Sequence, residues 1–242
     1  MNKIRILSGN SLKILAALFM VIDHVGLLLL PKVRLLRYIG RLSFPIFAFM
    51  IAEGAKYTRN KPKHFLYIAT LALICQIVYF VYDKSLYMSI LVTFSLSILI
   101  IYALQNVKKT MFSDNSKAKL GAIGLFVLTV AAVYLFTILF DVDYGFVGIL
   151  TPVFASIPDF KDTDAPESIK KYDNLYVQLF FMAISLFLLS LSSFAFQISC
   201  LLAIPILMLY SGKRGKLNLK YFFYLFYPLH LLALQGIAMF LG

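Results

Sequence analysis

The sequence predicts an all-α, polytopic transmembrane helical bundle of about nine spans, with the N-terminus in the cytoplasm. Three observations lead there. Of the 242 residues, 61% are hydrophobic and only 14% charged, against roughly 25% charged in soluble domains, so too little polar surface is left for water. Apolar runs recur from end to end, each near the ~20 residues that an α-helix needs to cross ~30 Å of hydrocarbon. The basic residues fall in short segments between those runs. Backbone groups in lipid must bond within their own segment or in a closed barrel, and the runs lack the alternation of barrel strands, so the spans are helices. No long linker or repeat divides the chain, which reads as a single membrane-embedded domain over residues 1–242.

Spans are expected at 12–31, 38–57, 64–82, 87–105, 119–140, 144–158, 175–192, 194–211 and 220–241. The first is as long as the others and lacks a small-residue cleavage site, so it is a retained span and not a signal peptide. Pro45 in the second and Pro228 in the ninth loosen their helices locally. The sixth is short, and the seventh and eighth meet at Ser192 and Ser193. The segment 159–174 is the longest hydrophilic stretch and forms a loop or surface helix. With the N-terminus inside, only Lys32, Arg34, Arg37, Arg41 and Lys84 of the 23 Lys and Arg face outward, a strong positive-inside asymmetry. Lys3, Lys13, the Lys56–Lys63 segment, Lys108, Lys109 and Lys213–Lys220 all fall inside. The first outer loop holds four of the five outer charges, a local exception that fits either a basic lining required by function or a different span count. The net charge of +12 is thus a topology signal, and no nucleic-acid partner is expected; membrane lipids are. Cys75 and Cys200 lie in different spans, without metal-ligand spacing or a disulfide framework, and read as small core residues.

Ionisable groups deep in a span are costly to insert and are functional candidates by default. Asp23 and His24 lie just past the middle of the first span, Glu53 in the second and His230 near the centre of the ninth. A single such residue is as readily explained as a hydrogen bond between helices. Two histidines and a carboxylate at similar depth fit that explanation less well. Lys13 and His24 are eleven residues apart, which at ~100° and ~1.5 Å per residue puts them on nearly one face, ~16 Å apart. A cation at the cytoplasmic mouth can hold phosphate, and a neutral imidazole at depth can accept a proton. Tyr227 shares a face with His230. Arg59, Lys61 and Lys63 form either an orientation signal beside anionic lipid or a site for a polyanionic ligand. Asp141, Asp143 and Tyr144 make an acidic outer corner too sparse for a metal site, and no metal is expected.

The stretch LKILAALFMVIDHVG at Leu12–Gly26, followed by IGRLSFPIFAFMIAEGAKYTRN at Ile39–Asn60, resembles the TraX family. DYGFVGIL at Asp143–Leu150, LYSGKRG at Leu209–Gly215 and YFFYLFYPLHLL at Tyr221–Leu232 resemble its remaining blocks in the right order. The resemblance covers nearly the whole chain. It implies a protein of conjugation systems in the bacterial cytoplasmic membrane, and an acetyltransferase that modifies the amino terminus of pilin. The family also resembles membrane acyltransferases of surface sugars, in which a basic residue, ten further residues and a catalytic histidine follow in the first span. Lys13 and His24 match that spacing, with Lys where Arg is usual, and Lys offers a point charge instead of a fork.

The expected reaction is acetyl transfer from cytoplasmic acetyl-CoA to an amine, or to a hydroxyl of a surface glycan, with N-acetylation favoured. Lys13, Arg59, Lys61 and Lys63 would hold the phosphates, and His24 would deprotonate the acceptor. Asp23 or Arg41 would orient groups around it, and Tyr227 or Arg41 would face the oxyanion. His230 stands as the second candidate base. No serine or cysteine sits in a nucleophile motif, which favours direct transfer. Two rivals belong to other classes. A proton-coupled transporter also buries Asp, Glu and His but often shows inverted repeats, and none is visible; a non-enzymatic subunit of a conjugation or secretion apparatus needs no polar face on its first and last spans.

Overall fold

The computed structural model describes residues 5–192, 195–217 and 219–241, with the side chains of residues 82–83, 192, 195, 220–221, 224–225 and 241 left aside. Lys3, counted above among the inner charges, and Ser193, at the expected junction of two spans, lie outside the described residues. Among those residues the chain is helical, with two isolated parallel bridges, Leu7 with Tyr210 and Met88 with Val142, as its only extended pairings. Among the described residues five helical stretches are long and apolar enough to cross a membrane, and four shorter apolar helices accompany them. The chain gathers into two compact units, one formed by residues 1–50 with 186–242 and the other by residues 51–185.

The first unit is built on α1 (Gly9–Leu28), α2 (Arg34–Gly40) and α3 (Ser43–Tyr57), of which the part up to Met50 belongs here. Ser8 caps α1 by accepting from Ser11 N, which satisfies one of the free donors at a helix start. Helix α2 packs on α1 because glycines remove the obstacle. A Cβ on Gly26 would come within 2.7 Å of Leu36 Cβ, and one on Gly40 would overlap Asp23 Cα and Cβ. The span expected from residue 38 is present as one apolar stretch, Arg34–Tyr57, whose helix is interrupted at Arg41–Leu42 between α2 and α3. Pro45 is the cause: it has no N–H for the carbonyl of residue 41, and its ring crowds that carbonyl. The freed Arg41 oxygen accepts instead from Cys200 Sγ at 3.3 Å, and Ser43 Oγ donates to Ala16 O at 2.8 Å.

The second unit turns on α5 (Ile90–Met111), which packs against α4 (Lys61–Asp83), α6 (Ser116–Leu139) and α7 (Gly145–Ser156). Its core joins Ala55, Ile100, Ile101, Val133, Val142, Ile149 and Val153. Helix α6 is apolar around its circumference and exposes Leu120, Leu128, Leu135 and Leu139. In water that face would be unstable; in hydrocarbon it is the ordinary surface of a spanning helix. A short helix, α8 (Glu167–Lys170), lies in the hydrophilic segment, and α9 (Leu175–Ser192) follows, its residues up to Ser185 belonging to this unit. The first unit then continues through a 3-10 segment (Ala195–Leu202), α10 (Ala203–Met208) and α11 (Lys220–Leu241), which packs on α1. The eighth expected span is therefore a 3-10 turn run into a short α-helix, where a single α-helix was expected.

Candidate functional site in the first unit

Residues 206 positions apart meet on α1 and α11. His230 Nε2 lies 3.2 Å from His24 Nδ1, and His230 Nδ1 lies 2.9 Å from the carbonyl of Phe226. A carbonyl can only accept, so His230 Nδ1 carries a proton and donates it to Phe226 O. In a neutral ring this leaves His230 Nε2 as an acceptor. His24 must then donate from Nδ1, and its own lone pair falls on Nε2. The stacking of Phe226 on His230, with ring centroids 4.9 Å apart and planes 8° apart, fixes the second ring. Tyr227 is buried and meets His230 edge-on at 5.6 Å.

Beside this pair sits an ionic cluster. Arg37 Nη1 donates to Asp23 Oδ2 at 2.7 Å and to Asp23 O at 3.1 Å, and Arg41 Nε lies 3.7 Å from Asp23 Oδ1. All three side chains are about 85% buried. Arg37 and Arg41 are four residues apart across the α2 end, so both face α1. The cluster of basic residues at Lys32–Arg41 thus has a local reason, since two of them neutralise a carboxylate within the fold. Asp23 serves this cluster, and the group that holds His24 is His230. Arg37 was not singled out by sequence reasoning; its spacing from Arg41 and the local charge excess were the available signals.

The other candidates are distributed differently. Lys13 is half-buried on α1, near enough to Arg214 for the two charges to repel. Glu53, Arg59, Lys61, Lys63, Asp143 and Tyr144 belong to the second unit. There Glu53 is buried and accepts from Gln178 Nε2 at 3.3 Å. Lys56 pairs with Asp173 and, at 4.0 Å, with Asp159, while Lys108 donates to Ser156 O at 2.7 Å. Lys61 stands over the Tyr102 ring and Lys63 over the Tyr67 ring, contacts typical of cations on an aromatic face. Asp143 Oδ1 accepts from Tyr87 Oη at 2.7 Å, and Tyr144 takes a left-handed backbone, φ +62°, at the start of α7.

The fold and this site define a polytopic helical membrane protein with a hydrogen-bonded histidine pair and an arginine-neutralised carboxylate in its helices. A family model described as TraX protein matches residues 8–238. The chain belongs to the TraX family. Among curated relatives, it is 39% identical over 56 residues to the uncharacterized protein RP591 of Rickettsia prowazekii (strain Madrid E), which is 23% of this chain and 22% of that one. It is 36% identical over 61 residues to the probable fimbrial assembly protein FimC, serogroup H1, of Dichelobacter nodosus, which is 24% of this chain and 25% of that one. The chain thus spans about a quarter of the length of these relatives. No solved structure matches.

Proposed function

We propose that the chain is a bacterial cytoplasmic-membrane acetyltransferase that moves an acetyl group from cytoplasmic acetyl-CoA to an amine, the N-terminus of a pilin-like peptide being the favoured acceptor. The observation that carries this reading is the 3.2 Å contact of His230 with His24, where the bond from His230 to Phe226 O leaves an unprotonated nitrogen at His24 Nε2 inside a helix bundle. TraX membership and a relative named as a fimbrial assembly protein support a pilin-related role. In the proposed reaction the acceptor nitrogen attacks the thioester carbonyl while His24 Nε2 takes its proton. The tetrahedral oxyanion faces a donor from Arg41 or Tyr227. Collapse expels the CoA thiolate, which recovers the proton from His24 and leaves as the thiol. Lys13, about 16 Å from His24 along α1, holds donor phosphate. A nine-span topology with a cytoplasmic N-terminus delivers the donor from inside.

The test is acetyl transfer by the purified protein from labelled acetyl-CoA to a peptide with a free N-terminus. His24→Ala should bind acetyl-CoA but lose at least the ~100-fold typical of removing a general base. Near-normal turnover of that variant at saturating donor would sink the base assignment. A wild-type protein that moves protons across vesicles and transfers no acetyl group would establish the transporter reading instead.

A further inference from the structure

The motif LYSGKRG is not used by the mechanism above, yet the fold holds it with unusual care. Leu7 N donates to Leu209 O at 2.9 Å, Ser211 N to Leu7 O at 2.8 Å, Gly9 N to Lys213 O at 2.7 Å and Asn10 N to Arg214 O at 2.9 Å. Asn10 Nδ2 donates to Leu217 O at 2.6 Å, and Ser211 Oγ to Leu7 O at 3.0 Å. The loop is therefore strapped along the first turn of α1 by backbone and side chain alike. Gly212 and Gly215 have φ of +74° and +96°, a region that side chains disfavour. At Gly215 a Cβ would also come within 2.9 Å of Asn10 Nδ2 and Ser8 Oγ.

This strapping carries two basic side chains, Lys213 and Arg214, to the helix that bears Lys13. Lys13 is three residues beyond Asn10 and four beyond Gly9, hence on the face against which the loop lies. Lys13 and Arg214 repel one another, and among the described residues no carboxylate lies within 4.0 Å of Lys13, Lys213 or Arg214. The chain thus fixes like charges together without a protein counter-ion, an arrangement stabilised by an anion that takes several donors at once. The N–H groups of Gly9, Asn10, Ser11 and Leu12 are already bonded, so the side chains and not the helix end must hold it.

We propose that Lys13, Lys213 and Arg214 form a phosphate site on a preformed loop, and that its ligand is the phosphate end of the acyl donor. The identity of the ligand rests on the proposed function; the existence of the site does not. His24 lies about 16 Å further along the same helix face, a separation comparable with an extended pantetheine arm. The phosphate of an anionic lipid headgroup offers the same chemistry, and the experiment separates the two.

The full-length protein in detergent should bind adenosine 3′,5′-bisphosphate, which has phosphates but no thioester, in calorimetry. Arg214→Gln and Lys213→Gln should each weaken that binding roughly tenfold, the loss of one charge-assisted bond. Arg214→Lys should recover much of it, and the melting temperature should be unchanged, because both side chains are exposed. His24→Ala should bind normally, so failure of transfer and failure of this site read differently. Wild-type protein that does not bind the bisphosphate, or a Lys213→Gln/Arg214→Gln double variant that binds it fully, overturns the proposal. So does a triple Arg59→Gln/Lys61→Gln/Lys63→Gln variant that alone abolishes binding. In phosphatidylcholine nanodiscs, adding phosphatidylglycerol should stabilise wild type and the double variant equally. Stabilisation lost only in the double variant, with bisphosphate binding retained, would assign the site to lipid and overturn the donor assignment.

Discussion

His24 was legible in the sequence because an imidazole in an apolar span is expensive and because Lys13 stands on the same face. What the sequence lacked was the ring it meets, since no periodicity relates positions 24 and 230. That contact changes the chemistry asked of each ring. His230 Nε2 lies 3.2 Å from His24 Nδ1 and accepts from it, so in the proposed reaction His230 would position the base and not itself offer a free lone pair. The substitution His230→Gln places an amide oxygen near the former Nε2 and should keep most of the transfer rate. His230→Leu removes the acceptor, frees the His24 tautomer and should lower turnover on the order of tenfold or more, with little change in donor KM. Equal activity of the Gln and Leu variants would show that the tautomer is not held this way. Arg37 escaped notice for a different reason: a charge near a span end reads as a topology signal until its partner, Asp23, is seen 2.7 Å away.

At the scale of elements, most helix bounds follow from apolar run lengths and caps, and α11 and α9 begin and end where the sequence places them. The second expected span differs, and the difference lies in the site. Pro45 was recognisable as a local weakness, but the identity of the donor that compensates it was not, because Cys200 is distant in sequence and looks like core filler. The break at Arg41–Leu42 turns the Arg41 side chain toward Asp23 while its carbonyl goes to Cys200. Pro45→Ala would restore a backbone donor for that carbonyl, with a gain of about 0.5–1.5 kcal/mol for one hydrogen bond. The helix should then run on through residues 41–42 and carry Arg41 away from the carboxylate. The expected result is a melting temperature at or above that of wild type with transfer reduced several-fold. A variant that keeps both full activity and a higher melting temperature would remove Arg41 from the mechanism.

For the whole molecule, composition predicted an all-helical chain, and the structure describes five helical stretches long and apolar enough to cross a membrane with four shorter apolar ones. The proposed nine-span arrangement with an inner N-terminus puts the C-terminus outside. A periplasm-active reporter fused after the last residue should be active, whereas one that works only in the cytoplasm should be silent. The opposite pattern would require an even number of crossings and would reverse the side from which the donor arrives. The division into two compact units was not readable from the sequence, since it depends on which helices pack and no composition shift marks it. The close approach at Gly40 bears on how the site meets its solvent. Where the Gly40 backbone lies against Asp23 there is no room for a methyl group, and therefore none for an acyl chain or a water molecule on that side. Even one methyl group at that position would push α2 off α1, and Arg37 and Arg41, which reach Asp23 from α2 and its end, would be carried away with it.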